Sequence, residues 1–253
     1  MTAATRTVLR ALALAALCTL ALQLYFLGRV ACMIVVDPQS TSFQRSEAWR
    51  MASARSSLSW HQQWRDYAHL SAALKRAVIA SEDAGFAEHS GVEWDALERA
   101  WERNQEAEAK FDLSHAAAKR HPAASATAAA PKIVGGSTIT QQLAKNLFLD
   151  AERNLFRKAQ EFMITFMLEG LLSKARILEI YLNSVEWGEG VFGADAAAQH
   201  YFRVDAAHLS AQQAAQLAVM LPAPKRFEKR PASPYVLGRA ATVGARMGGV
   251  ELP

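Results

Sequence analysis

Glu82 closes the apolar run Ala77-Val78-Ile79-Ala80, and Asp83, Gly85, His89 and Gly91 follow close behind it. A carboxylate in apolar surroundings loses hydration, so its pKa rises and it becomes a base near neutral pH. Taken alone, Glu82 reads first as a solvated helix end. Asp83 and His89 read equally well as partners for the backbone of the turn that the glycines permit.

A second group of candidates lies further along. Gly135-Gly136 followed by Ser137-Thr138 offers backbone N–H groups and hydroxyls at a helix start, a setting suited to phosphate oxygens. Within the helix that follows, Ile139, Leu143 and Leu147 share one side, while Thr138, Gln141, Gln142 and Lys145 form a polar stripe. Lys145 and Arg157 supply a point charge and a planar fork, the pair a pyrophosphate requires. Glu161 stands four residues after Arg157, on the same helical face.

These groups need a scaffold, and the patterning predicts an all-α one with short strands at most. Leu70, Leu74 and Val78 mark a helix from Tyr67 to Glu82, and others are expected over 157–172, 174–183 and 210–221, the last stopped by Pro222 and Pro224. Gly188, Gly190 and Gly193 imply a tight loop around Glu186, Trp187 and Glu189, with both glutamates ranked low as site residues. Trp187 and Phe192 read as core before cleft lining.

Residues 11–28 carry no charge, Arg6 and Arg10 precede them, and apolar character resumes after Arg29 to Val36. A span of roughly 20 apolar residues crosses a bilayer, so 11–36 is expected to be an anchor, with 1–10 cytoplasmic and the body outside. The remaining organisation is read as a membrane-proximal linker over 37–65, a domain over 66–228 and a tail over 229–253. An Ala-rich mobile loop is expected over 105–132, bracketed by Pro122 and Pro131. Cys18 and Cys32 lie in or beside the apolar segment, so thiols build neither a disulfide framework nor a metal cluster. A formal net charge of +4 with scattered cations and no nucleic-acid-binding signature excludes nucleic acid as the partner, leaving an anionic membrane surface or a phosphate-bearing substrate.

Four ordered motifs sharpen this. Glu82-Asp83-x-x-Phe86-x-x-His89-x-Gly91, then Gly136-Ser137-Thr138-Ile139-Thr140-Gln141-Gln142-Leu143-x-Lys145-Asn146, then Arg157-Lys158-x-x-Glu161, and then Lys174-x-x-Ile177-Leu178-Glu179-x-Tyr181-Leu182-Asn183 resemble the family 51 glycosyltransferases, the peptidoglycan transglycosylases. The likeness runs from about Leu70 to Pro224.

The resemblance implies a two-lobed, lysozyme-like, mainly helical body behind one transmembrane helix, at the outer face of a bacterial inner membrane. It implies polymerisation of lipid II, with Glu82 deprotonating the 4-hydroxyl of the acceptor sugar and a lipid pyrophosphate leaving from the donor with inversion. It gives the leaving group to Lys145 and Arg157, with help from Lys158. Glu161 orients those cations or a divalent metal. Gln142, Thr138, Ser137 and Asn146 hold the donor, and Asp83, Phe86, His89 and Gly91 support the base. No cofactor is required for the chemistry, although a divalent cation, Mg or Mn, is compatible with it. Expected partners are lipid II, the nascent strand, the membrane and other cell-wall synthesis or division proteins. No Ser-x-x-Lys and Lys-Thr-Gly set follows, so the monofunctional form is expected. Glu179 reads as a structural partner for a buried cation.

The chain departs from the family pattern at Ala84-Gly85 and Glu93, which touches substrate contacts rather than the base. Two alternatives stay open at this point: a glycan-cleaving muramidase or lytic transglycosylase, and a catalytically silent membrane scaffold.

Overall fold

The computed structural model of the protein describes residues 2–54, 59–120, 136–149, 152 and 154–253, without the side chains of Asn104 and 112–120. It is mainly helical, with three very short strands among those residues. In chain order the helices are α1 (Ala3–Cys32), α2 (Ser42–Ser53), α3 (Ala72–Glu82), α4 (Trp94–Arg120), α5 (Ile139–Phe148), α6 (Leu155–Leu171), α7 (Lys174–Ser184), α8 (Ala194–Phe202), α9 (Ala211–Met220), α10 (Pro224–Phe227) and α11 (Pro234–Arg246). Strands β1 (His61–Gln62), β2 (Glu186–Gly188) and β3 (Val191–Phe192) form a sheet in the order β1-β3-β2, parallel on one side and antiparallel on the other.

Short polar side chains start most helices. Ser71 accepts from Leu74 N at the head of α3, Asn154 from Arg157 N at the head of α6, and Ser173 from Arg176 N at the head of α7. Thr138 and Gln141 form a reciprocal capping box on α5. Each helix then buries one stripe: Leu74, Ala77 and Val78 of α3 meet α9 and α11, while Ile139, Leu143 and Leu147 of α5 meet α6 and α7. A cleft opens where these two sets of helices face each other.

Strand pairing aims the chain that follows α7. The tight β2–β3 turn needs glycine at Gly190, whose φ is 70° and where a Cβ would sit 1.9 Å from Ser59 O. Trp187 and Phe192 are fully buried, as their core reading predicted.

Helix α1 is long and apolar enough to cross a membrane, about 45 Å at the usual helical rise. Its first two-thirds stand free of the body, with Val8, Leu12 and Leu17 exposed. The last third is docked. Gln23 and Gln160 of α6 exchange hydrogen bonds of 2.8 and 3.1 Å, and Phe26 packs edge-on to Phe148. Arg176 of α7 donates to Met33 O at 2.9 Å and pairs with Asp37 at 2.7 Å. Glu179 is the second anionic partner of that half-buried arginine, at 3.1 Å, which is the structural role expected of it.

Three expectations are corrected. The stretch 37–65 is not a plain linker, because α2 lies in it and is packed: Met51 is buried and Gln44 donates to Ser184 O at 3.2 Å. Its few apolar contacts leave almost no periodicity to read. The expected loop 105–132 is helical up to Arg120, where residues with high helix propensity and an i,i+4 Glu106–Lys110 pair continue α4; residues 121–132 lie outside the described set. The expected tail 229–253 contains α11, which buries Val236, Ala240 and Val243 against α9 and α3.

An aspartate at Val236 would bury an unpaired charge, at a cost of about 3–5 kcal/mol. Val236→Asp is therefore expected to lower the thermal unfolding midpoint by roughly 10 °C, while Leu237→Asp, one residue away and 40% exposed, leaves it nearly unchanged. Equal midpoints for the two variants would show that α11 is peripheral.

Candidate active site

The cleft has a volume of about 850 Å³. Its walls include Ser81 and Glu82 of α3, Ser137, the α5 residues Gln141, Gln142, Lys145 and Asn146, and the α6 residues Arg157, Lys158 and Glu161. Tyr181, Glu186, Phe43 and Ser46 join them, with Pro222 and Pro224 beyond α9. The structure therefore brings together residues that the sequence separates by more than seventy positions, Glu82 and Arg157 among them.

Glu82 is the last residue of α3, at the cleft wall. Gln142 Nε2 donates to its Oε2 at 3.0 Å, and Tyr181 Oη donates to Gln142 Oε1 at 2.9 Å. Burial pushes the Glu82 carboxyl above the usual range; the Gln142 bond opposes this, and the neighbouring Asp83 charge adds to it. Burial also raises the Tyr181 phenol well above its ordinary value, so it stays protonated and keeps the amide of Gln142 turned with its N–H toward Glu82. A carboxylate with a raised pKa and one fixed donor is suited to accepting a proton.

Asp83 points the other way. Its Oδ2 accepts from Ile139 N at 2.9 Å, and its Oδ1 meets His89 Nε2 at 2.7 Å. Because His89 Nδ1 accepts from Gly91 N at 3.1 Å, the neutral ring carries its proton on Nε2 and donates it to Asp83. Gly91, at φ 86°, lies so close to Thr165 and Glu169 that a Cβ would approach both to 2.7 Å. Phe86 is fully buried beneath Lys174, whose ammonium lies 4.6 Å from the ring centroid.

The phosphate site expected at the start of α5 is corrected. Ile139 N is taken by Asp83, Thr138 N by Gln141, and Gln141 N by Thr138. A helix N-terminus attracts an anion, and here the protein's own carboxylate satisfies it. Thr138 is itself buried, and its hydroxyl donates to Gly91 O at 2.6 Å, so it fastens that loop to the start of α5. Ser137 is exposed beside it and remains at the cleft. Gly135 lies outside the described residues.

The cations gather on α6. Arg157 Nη1 lies 2.9 Å from Glu161 Oε2, and Lys158 Nζ lies close against Glu161 Oε1. Glu161 is 3% exposed, and with both oxygens engaged it orients these cations; a metal there would have to displace one of them. Among the described residues Arg157 Nε is buried with no hydrogen-bond partner, a donor of a charged fork facing the cleft. Gln141 Nε2, at the same wall, is a second buried donor with none among the described residues.

Sequence reasoning undervalued Glu186. It is 8% exposed, lines the same cleft as Glu82, and burial raises its carboxyl to about 7 despite Lys225. The signal was available, since Val185 and Trp187 flank it as apolar residues flank Glu82. Glu47 and Lys225, which pair beside it, come from elements whose packing the sequence did not reveal.

The sequence profile of the transglycosylase family matches residues 51–112 and 115–248. A biosynthetic peptidoglycan transglycosylase of Burkholderia thailandensis is 51% identical over 235 residues, covering 92% of this chain and 83% of the relative. One from Paraburkholderia phytofirmans is 49% identical over 242 residues, covering 95% and 91%.

The raised pKa of Glu82 sets a direction for pH dependence. Its base form is lost as pH falls through a value above the ordinary carboxylate range, so the acid limb of kcat/KM is expected there. Gln142→Ala removes the bond that opposes the shift, and the limb should move to higher pH. A rate–pH profile with an unmoved limb would separate Glu82 from that limb.

Proposed function

Because the chain belongs to the transglycosylase family, and is thus a glycosyltransferase with a lysozyme-like, two-lobed helical body, we propose that it polymerises lipid II into the glycan strands of peptidoglycan. One observation carries the reading: a desolvated carboxylate, Glu82, shares a cleft with a cation group whose Arg157 Nε has no hydrogen-bond partner among the described residues.

In the proposed step the Glu82 carboxylate takes the proton of the acceptor 4-hydroxyl. The oxygen attacks the anomeric carbon of the donor from the face opposite the lipid pyrophosphate, and a new C–O bond forms as the bond to the pyrophosphate oxygen breaks. The pair of electrons leaves with the pyrophosphate, and the anomeric centre inverts. Pyrophosphate departs without a strong acid, so the requirement is for charge stabilisation, which Arg157, Lys158 and Lys145 provide around Glu161. Ser137, Gln142 and Asn146 line the same wall and hold the donor. The reaction needs no cofactor on this reading, and a divalent cation, Mg or Mn, acts only as a further partner of the phosphates. A glycan-cleaving enzyme has a neutral leaving group, which gives these cations nothing to stabilise.

The membrane placement follows from α1. With Arg6 and Arg10 at its start, the N-terminus lies in the cytoplasm and the catalytic body in the periplasm of the inner membrane. The last third of the anchor packs on α6 and α7, so the body sits against the bilayer, where Leu155 and Phe156 at the head of α6 are 87% and 89% exposed. Arg157 and Lys158 follow them directly, which puts the cations level with the lipid phosphates. Lipid II and the growing strand are the substrates on this reading, and other cell-wall synthesis or division proteins are its expected company.

Detergent-solubilised full-length protein given lipid II is expected to produce lipid-linked glycan polymer. Glu82→Gln should lose about 10²–10⁴ in rate with an unchanged unfolding midpoint. Arg157→Ala should reduce the rate of transfer by at least tenfold. Absence of polymer from wild-type protein would reject the reading, and polymer at near-normal rate from Glu82→Gln would reject the base.

A further inference from the structure

Lys225 of α10 is surrounded by three carboxylates. It bonds Glu47 of α2, stands 3.2 Å from Glu186 Oε1 of β2, and 3.3 Å from Glu189 Oε2 in the β2–β3 turn. Arg50 of α2 closes the network by pairing with both Glu47 and Glu189. Two cations thus serve three carboxylates, and they serve them unequally. Among the described residues Glu47 and Glu189 each have two cationic partners, whereas Glu186 has Lys225 alone.

Glu186 is also the buried member. Its side chain is 7% exposed, and among the described residues the one cation at its Oε1 is Lys225, at 3.2 Å and shared with two other carboxylates. A buried polar atom left in this state calls for an explanation. Its position offers one, because Glu186 lines the cleft beside Phe43, Ser46, Pro222 and Pro224. Apolar surfaces bordering one under-compensated carboxyl suit a sugar ring, which presents a C–H face and a hydroxyl edge. These residues come from α2, β2 and the segment after α9, none of which carries the cations of α6. Glu82 is tied to this side, since α3 packs on α9 and Ser81 Oγ donates to Ala218 O at 3.5 Å.

We propose that Glu186 is a specificity-determining contact for the acceptor glycan, hydrogen-bonding a hydroxyl or amide of the sugar whose 4-hydroxyl Glu82 deprotonates. The inference rests on the polymerase reading above. Lys225 keeps the carboxyl in the cleft wall, and Arg50 pairs with Glu47 and Glu189. Burial, with Glu47 and Glu189 adding to it and Lys225 opposing it, holds the Glu186 carboxyl at about 7. Its charge therefore changes within the working range, whereas Lys225 is held above its ordinary value by its carboxylates. A metal among Glu47, Glu186 and Glu189 would have to expel Lys225.

The test uses full-length protein in detergent with lipid II, reading rate against substrate concentration and strand length. Glu186→Ala should raise the half-saturating concentration about tenfold, leave the maximal rate within about threefold, and shorten the strands. Glu186→Gln preserves shape and should abolish the change in half-saturation that wild type shows as pH crosses about 7. Wild-type values of half-saturation, strand length and pH response in both variants would overturn the proposal. So would a loss confined to the maximal rate. If EDTA reproduces the alanine phenotype in wild type, a metal at this cluster replaces the sugar contact. Failure of wild type to polymerise counts against the polymerase reading instead. Should Glu186→Ala lower the unfolding midpoint, Glu186→Gln decides.

Discussion

The site depends on one hydrogen bond more than on any other: Asp83 Oδ2 accepting from Ile139 N at 2.9 Å. Asp83 follows Glu82 directly, so its attachment to the first turn of α5 fixes the base relative to the helix that carries Gln142 and Lys145. The bond is charge-assisted and placed at a helix N-terminus, where a negative charge is favoured. His89 donates to the other oxygen, so the buried carboxylate is satisfied on both sides. Thr138 bonding Gly91 O clamps the same two segments a second time. Asp83 and His89, expected to support the base, and Thr138, expected to hold the donor, thus all fasten the end of α3 and the loop after it to the start of α5.

The same logic of internal compensation shapes the rest of the molecule. Glu169 receives Thr140 Oγ1 at 2.5 Å and Lys174 Nζ at 2.9 Å, joining α5, α6 and α7 beneath Gly91. Arg176 links the end of α1 to α7 through Asp37, Met33 O and Glu179. Asn183 is buried and spends its amide on Arg65 O, Arg65 N and Glu179 O. Buried polar groups of this kind stabilise little when satisfied and cost several kcal/mol when broken. They hold geometry, and the last motif is built from them: Lys174, Glu179, Tyr181 and Asn183 each make a bond that positions a neighbour.

What was legible in the sequence follows from this. Helices α3, α5, α6 and α7 bury regular stripes, so spacing announced them, and the residues around the cleft came with them. Helices α2 and α11 and the outer part of α4 were harder for different reasons. α2 buries Met51 and Gln44 but otherwise holds on by polar and charged contacts, α11 follows a proline-rich segment that reads as a stop, and the outer part of α4 is too polar and Ala-rich to show a buried stripe. The phosphate nest at Ser137–Thr138 was misread because local sequence shows which N–H groups a helix start exposes, but not that Asp83, fifty-five residues earlier than Thr138, returns to take one. Glu186 was ranked low because its apolar neighbours were the one local signal, while Glu47 and Lys225, which complete the cluster around it, come from distant parts of the chain.

The charge arrangement of the cleft separates two tasks that one group would perform poorly. A base must be electron-rich and free of close cations, or its pKa falls and it ceases to take a proton. A leaving pyrophosphate needs cations close by. Glu82 accordingly has an amide for its partner, while the cations are gathered on α6 and the end of α5. Glu161 is the device that makes the gathering tolerable, since it engages Arg157 and Lys158 before any ligand arrives and prevents two like charges from repelling in a partly buried site. Removing Glu161 would add positive charge and still weaken the site, because Arg157 and Lys158 would lose the partner that sets their direction. On the proposed reading Glu161 thus serves the reaction by orienting the cations it pairs with, and Glu82 by keeping its proton affinity.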